Sequence, residues 1–198
     1  MNEFWDERYR VADYVYGKEP NDYFKYHLDQ LKPGKILLPG EGEGRNAVYA
    51  ASIGWDVFAF DTSSEGRRKA LDLAKEKKVE INYILAPYLG FDYAENYFDA
   101  VGLFFTHQPS EMRKEFHQLA QNSLKPAGHI IMEGFHKEQI HRNTGGPKNF
   151  DFLFGEEEIR EDFKDLEVLE LKILGRELQE GLFHRGPAEV LQLFARKI

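Results

Sequence analysis

The sequence contains no cysteine. Disulfide scaffolds, thiolate zinc sites, iron–sulfur clusters and cysteine nucleophiles are therefore excluded. No apolar run approaches the roughly 20 residues that span a bilayer. The opening segment MNEFWDERYR carries charges where a signal peptide needs an unbroken apolar stretch. These absences predict a cytoplasmic protein with no membrane partner. Positive charge is also in deficit: 26 Lys and Arg face 34 Asp and Glu, a net charge of −8. Gripping a phosphate backbone relies on clustered basic residues, so nucleic acid is not the expected partner. The densest basic clusters, Arg67-Arg68-Lys69 and residues 75–78, read as the solvated face of one helix. No repeat, low-complexity tract or Pro/Gly/Ser linker interrupts the 198 residues, and one domain is predicted.

Aromatic residues crowd the first 34 positions, which read as two short helices, the second capped by Asn21 or Asp22. Trp5 and Tyr9, like Phe24 and Leu28, sit at helical spacing, which favours packing on one helix face. After Pro33-Gly34 an alternation begins. Apolar strands are predicted over residues 35–38, 55–60, 81–85, 98–105 and 129–132. Helices are predicted over 45–52, 64–77 and 110–124. Short apolar strands separated by helices imply a parallel sheet covered on both faces. The tail differs: a loop over 136–154, a helix over 155–163, and strands over 166–174 and 189–196 that suggest an antiparallel hairpin.

The most informative segment is Ile36-Leu37-Leu38-Pro39-Gly40-Glu41-Gly42-Glu43-Gly44-Arg45-Asn46. It sets G-x-G-x-G between a strand and a helix, at the carboxyl end of a parallel sheet where ligands bind. A dinucleotide fingerprint requires G-x-G-x-x-G to seat a pyrophosphate on the helix N-terminus. Here Arg45 stands where that pattern needs glycine, which suits a ligand without a pyrophosphate. Asp61 ends the second predicted strand, and a carboxylate there can accept two hydrogen bonds from vicinal ribose hydroxyls. Loop and acid together point to a nucleoside.

Gly40 to Asn46, Asp61 and the Leu124-Lys125-Pro126-Ala127-Gly128 turn resemble, in kind and order, the motifs of class I S-adenosylmethionine (SAM)-dependent methyltransferases. Four stretches resemble the tellurite-resistance and thiopurine-type branch of that family. They are Phe4-Trp5-Asp6-Glu7-Arg8-Tyr9, Tyr16-Gly17-Lys18-Glu19-Pro20-Asn21, the glycine loop, and Asn143-Thr144-Gly145-Gly146-Pro147. The resemblance implies a Rossmann-like, doubly wound α/β fold. Its mostly parallel seven-stranded sheet would end in an antiparallel C-terminal hairpin and carry helices on both faces. It implies SAM as cofactor and S-adenosylhomocysteine as product. Gly40, Glu41 and Gly42 would pass under the methionine part, Asp61 and Thr62 would meet the ribose, and Ala86, Pro87 and Tyr88 would flank the adenine. Phe104 and Phe105 would lie near the sulfonium, with Trp5, Arg8, Tyr9 and Tyr16 closing from the N-terminal segment. The family often has acidic residues where Leu38 and Pro87 stand here.

Methyl transfer from a sulfonium asks chiefly for in-line positioning in a water-poor pocket. A base matters only if the nucleophile arrives protonated, and His107, just past the fourth strand, is the candidate. Glu133 is the candidate for orienting substrate, and Arg142 and Arg185 for holding an anionic one. His136, His141 and His184 have spacings that fit no standard ligand pair, so no metal is expected. A small-molecule acceptor is favoured. A methyltransferase of proteins or nucleic acids, a SAM-binding module without turnover and a nicotinamide oxidoreductase are the alternatives at this level.

Overall fold

The computed structural model describes residues 2–198. Strand β1 (Lys35–Pro39), helix α3 (Arg45–Ser52), strand β2 (Asp56–Asp61), helix α4 (Ser64–Lys77) and strand β3 (Asn82–Leu85) form the first half. Strand β4 (Phe98–Phe104), helix α5 (Ser110–Ser123) and strand β5 (Leu124–Phe135) follow, then helix α6 (Glu156–Asp162) and strands β6 (Leu166–Glu180) and β7 (His184–Lys197). Two short helices, α1 (Asn2–Tyr9) and α2 (Asp22–Leu28), precede them. Asn21 caps α2 by accepting from Phe24 N–H, and Ser63 caps α4 by accepting from Gly66 N–H.

The strands form one seven-stranded sheet in the order β3-β2-β1-β4-β5-β7-β6. Pairing is parallel from β3 through to β5, and β7 then runs antiparallel to both β5 and β6. The expected doubly wound fold is therefore the observed one. Strand order reverses between β1 and β4, which opens a crevice at their carboxyl ends. Side chains alternate across the sheet. Leu37, Val101 and Met132 pack with Phe116 and Phe154 on one face, while Ile36, Leu38 and Ile131 pack with Phe24 and Leu28 on the other.

Two predicted boundaries move. The Lys125-to-Gly128 turn lies inside β5 as a kink, with Ala127 at φ 62° and a register shift opposite Phe98 and Ala100. The closing hairpin pairs all the way from Leu166–Lys197 to Glu180–His184, so both strands outrun their apolar cores. Sequence hydropathy reports burial, and the outer part of this ribbon is half-exposed. Loop 136–154 holds two 3-10 turns, Lys137–His141 and Phe150–Phe152.

Lys69 corrects the reading of the basic run as a solvated face. It is buried, and its Nζ donates to Glu43 Oε1 at 2.7 Å and to the Asp13 carbonyl at 2.6 Å. The pair ties α4 to the glycine loop. Removing one member of a buried ion pair leaves the other charge without compensation. Lys69→Ala is expected to lower unfolding stability by about 3–5 kcal/mol in urea titration, whereas Arg68→Ala on the exposed face is expected to change it by less than about 1 kcal/mol.

Candidate functional site

The crevice is floored by the turn that follows β1. Gly40, Gly42 and Gly44 all have positive φ (63°, 59° and 87°), a region that L-residues with a Cβ rarely occupy. A Cβ on Gly40 would lie 2.0 Å from the Tyr88 hydroxyl, and one on Gly42 would lie 2.5 Å from that of Tyr9. Side chains are thus excluded where two tyrosines press against bare backbone. Asp61 pins the turn from β2: its Oδ2 accepts from Gly42 N–H at 3.1 Å and its Oδ1 from Ser63 N–H at 2.8 Å. Burial pushes the Asp61 carboxyl up, while the same backbone N–H groups favour its ionised form. Each oxygen keeps acceptor capacity toward the crevice that it lines.

Glu41 decides what kind of ligand this floor suits. Gly44, the N-cap of α3, has no side chain to offer, and Glu41 Oε1 instead accepts from Ala47 N–H at 2.7 Å. Burial raises the Glu41 pKa to about 7. A pyrophosphate binds a helix N-terminus through its free N–H groups, and here a carboxylate occupies them. The site accordingly disfavours a dinucleotide. Bare glycine backbone, the Asp61 oxygens and aromatic walls fit an adenosyl group joined to a cationic sulfonium.

The crevice has a volume of about 610 Å3, within the span of small-molecule sites. The residues expected to bind cofactor all line it: Trp5, Arg8, Tyr9, Tyr16, Gly40, Glu41, Asp61, Thr62, Ala86, Pro87, Tyr88, Phe104 and Phe105, with Gly42 in the floor beneath Tyr9. Helix α1 packs on α4. Asp6 Oδ1 accepts from Ser63 Oγ at 2.6 Å and Glu65 N–H at 3.1 Å, at the start of α4. Trp5 stacks on Tyr9 with ring centroids 5.6 Å apart, so these rings wall the crevice as well as pack. Arg8 donates to the Tyr16 hydroxyl at 2.9 Å, and its guanidinium lies 4.7 Å from the Phe4 ring and 4.5 Å from that of Phe183. Phe183 sits at the hairpin tip, where Leu182 N–H donates to the Val15 carbonyl at 2.8 Å.

Four expected residues serve other ends. His107 lines the crevice, but its Nδ1 lies 2.8 Å from the Phe152 carbonyl and its Nε2 accepts from Phe135 N–H at 3.0 Å. A carbonyl only accepts, so Nδ1 carries the proton and Nε2 is already occupied. The role of general base is therefore corrected to that of a brace between β5 and loop 136–154. Glu133 is fully buried and accepts from Arg176, Asn21 and Gln192. It ties the sheet to α2 and the hairpin and is not among the residues lining the crevice. Arg142 pairs with Glu189 beside a separate surface depression, and Arg185 is exposed on the hairpin, so neither lines the crevice.

One histidine that the sequence reading considered only as a metal ligand lines the crevice. The His184 ring is 4.5 Å from that of Tyr16 and 4.4 Å from that of Phe105, centroid to centroid. Its Nδ1 is 3.4 Å from Glu180 Oε2, and its Nε2 has no hydrogen-bond partner among the described residues. The Phe135 ring is 5.3 Å away, and Met112, Pro147 and Phe152 are further apolar residues of the crevice lining. Gly145 and Gly146, from the Asn143-to-Pro147 stretch, also line this end. A Cβ on Gly146 would lie 2.8 Å from the Phe135 ring. Among the described residues no group of three or more His, Asp or Glu gathers as a metal site.

Burial lowers the His107 pKa to about 4, below its unfolded value of about 6.5. The unfolded chain then binds the extra proton first, so stability is full above pH 6.5 and declines as pH falls toward 4. His107→Gln is expected to flatten that decline, by up to about 3 kcal/mol at pH 4, in denaturant titrations run at matched pH.

A family model described as a methyltransferase domain matches residues 37–132, from β1 into β5. The probable SAM-dependent methyltransferase TehB of Haemophilus influenzae is 29% identical over 143 residues, 71% of this chain and 48% of TehB. The chain thus spans about half the length of the curated relatives it matches. The crystal structure of TehB from Haemophilus influenzae superposes with a TM-score of 0.73 at 19% identity, covering 100% of this chain and 67% of that one. A structure concerning conversion of a disulfide bond into a thioacetal group during echinomycin biosynthesis gives a TM-score of 0.77 at 16% identity, covering 100% and 91%. Family model, relatives and fold agree: residues 37–132 match a methyltransferase domain, the chain is similar to TehB, and these likenesses imply S-adenosylmethionine as cofactor.

Proposed function

We propose that this chain, acting as one unit from residue 1 to 198, methylates a small soft nucleophile, with an uncharged thiol as the best-fitting class. The observation that carries this reading is the continuity of one crevice. It runs from the glycine turn and Asp61 to an aromatic chamber that holds a single unpartnered imidazole nitrogen. Bound there, SAM supplies an activated methyl group and departs as a neutral thioether, so no acid is needed at the leaving group.

The residues then have distinct tasks. Gly40 and Gly42 pass under the methionine end, Asp61 fixes the ribose, and Trp5, Tyr9 and Tyr88 keep water from the cofactor. Phe105 has φ 54°, an uncommon conformation for a bulky side chain. It follows β4 and sets its ring against His184. His184 Nε2 takes the proton of an acceptor that arrives protonated, and Phe135, Phe152 and Met112 enclose that acceptor in a water-poor chamber. Among the described residues the only arginines or lysines lining the crevice are Arg8, engaged by Tyr16 and aromatic rings, and Arg45, engaged by Glu180. An oxyanion would find no free guanidinium among the described residues, which favours a neutral acceptor. The negative net charge and the small, enclosed chamber favour a small molecule over nucleic acid or protein.

Labelled SAM incubated with a panel of small thiols and with selenite tests the reading. Methyl transfer to a thiol in excess of selenite is expected; tight cofactor binding with no transfer to any acceptor would establish a binding module instead. Asp61→Ala is expected to weaken S-adenosylhomocysteine binding by about 1.5–3 kcal/mol, measured by calorimetry. Burial lowers the His184 pKa from its ordinary value. A base must be neutral, so kcat is expected to be flat at neutral pH and to fall about tenfold per unit below that pKa. The fall should be absent in His184→Asn, whose kcat should already be low.

A further inference from the structure

The ion pair beneath His184 has a task that stability does not explain. Glu180, at the end of β6, has a side chain only 9% exposed. Its Oε2 accepts from Arg45 Nη2 at 2.8 Å and lies 3.4 Å from His184 Nδ1, while its Oε1 accepts from Asn21 Nδ2 at 3.0 Å. Arg45 is the first residue of α3, directly after the glycine turn, and it also donates to the Tyr16 carbonyl at 3.3 Å. One carboxylate therefore joins the cofactor turn, the segment between α1 and α2, and the imidazole of the acceptor chamber.

A buried ion pair is often no more stable than apolar residues of the same volume, so stability alone is weak grounds for one here. Orientation is a stronger one. An imidazole is neutral in two tautomers, and the partner of one nitrogen decides which is populated. An ionised carboxylate only accepts, so a ring hydrogen-bonded to it through Nδ1 keeps the proton there. Tyr16 and Phe105 flank the ring and hold its plane. We propose that Glu180 is a positioning residue: held by Arg45, it keeps the His184 proton on Nδ1 and turns the Nε2 lone pair toward the acceptor. The assignment rests on the reading of His184 as the base.

The charged and titratable groups facing His184 come from several elements. They are Glu180 on β6, Arg45 on α3, Arg8 on α1, Tyr16 between the first two helices, and His107 after β4. Glu180 alone among them favours the protonated ring. Its loss should therefore move the acid limb of the rate profile to lower pH as well as release the tautomer.

Histidine nitrogen resonances of the 15N-labelled protein, bound to S-adenosylhomocysteine, test the assignment directly. The His184 pair, identified by its absence from His184→Asn, is expected to show a proton on Nδ1 and a bare Nε2. A proton on Nε2 in the unmutated chain would overturn the proposal whatever the variants do. In Glu180→Gln the two tautomers should mix, kcat should fall about ten- to a hundredfold, the acid limb should shift down, and S-adenosylhomocysteine affinity should stay within about twofold. Glu180→Asp should recover part of kcat. A lower melting temperature with unchanged kcat and unchanged nitrogen shifts would make Glu180 a structural partner of Arg45 only. Full turnover in His184→Asn would instead remove the base reading, and the nitrogen shifts would still report the tautomer.

Discussion

The contact between the Asp61 carboxylate and the backbone of the glycine turn sets the geometry of everything around it. One oxygen accepts from Gly42 and the other from Ser63, so β2 fixes the turn that leaves β1 and the start of α4 together. The turn can adopt its left-handed conformations only because Gly40 and Gly42 carry no side chain, and Tyr88 and Tyr9 fill the space that results. Tyr83 adds a third restraint by donating to the Gly42 carbonyl at 2.7 Å. A rigid floor is thus assembled from groups that each lie within hydrogen-bond reach of the next. Such preorganisation is what a site needs when its chemistry depends on alignment.

Around this floor the protein buries an unusual amount of charge. Lys69 with Glu43, Arg45 with Glu180, and Arg176 with Glu133 are its main buried pairs, Glu43 and Arg45 lining the crevice, and each joins segments far apart in the chain. Asn21 links two of these carboxylates, accepting the Phe24 N–H with its own oxygen as it does so. The cap of α2 and the support of the crevice are therefore the same residue. Apolar packing alone would hold the layers together, but it would not fix the azimuth of an imidazole ring or the path of the segment over the cofactor.

The parallel half of the fold was legible because its signals are local: short apolar strands, capped helices and a glycine turn between residues 35 and 135. The same locality placed Asp61 at the end of β2, whereas spacing read the N-terminal rings as packing and only the resemblance set them over the crevice. His184 stayed hidden because the rings that flank it, Tyr16 and Phe105, lie 168 and 79 positions away, and no spacing rule reaches that far. His107 misled for a related reason. Its place after β4 was read correctly, but only the fold shows that Phe152 and Phe135 consume both ring nitrogens. Glu133 looked available until Arg176 and Gln192, brought by the antiparallel hairpin, were seen to claim it. Sequence pattern reveals where a side chain starts and seldom what it meets.

The first and fourth helices share a carboxylate, and this couples the mouth of the crevice to its floor. Asp6 satisfies donors at the start of α4, within a few residues of Asp61. Without Asp6 that helix end would lack its anion, two residues from the carboxylate that pins the glycine turn. The wall of the crevice and its floor are thereby joined through one oxygen atom.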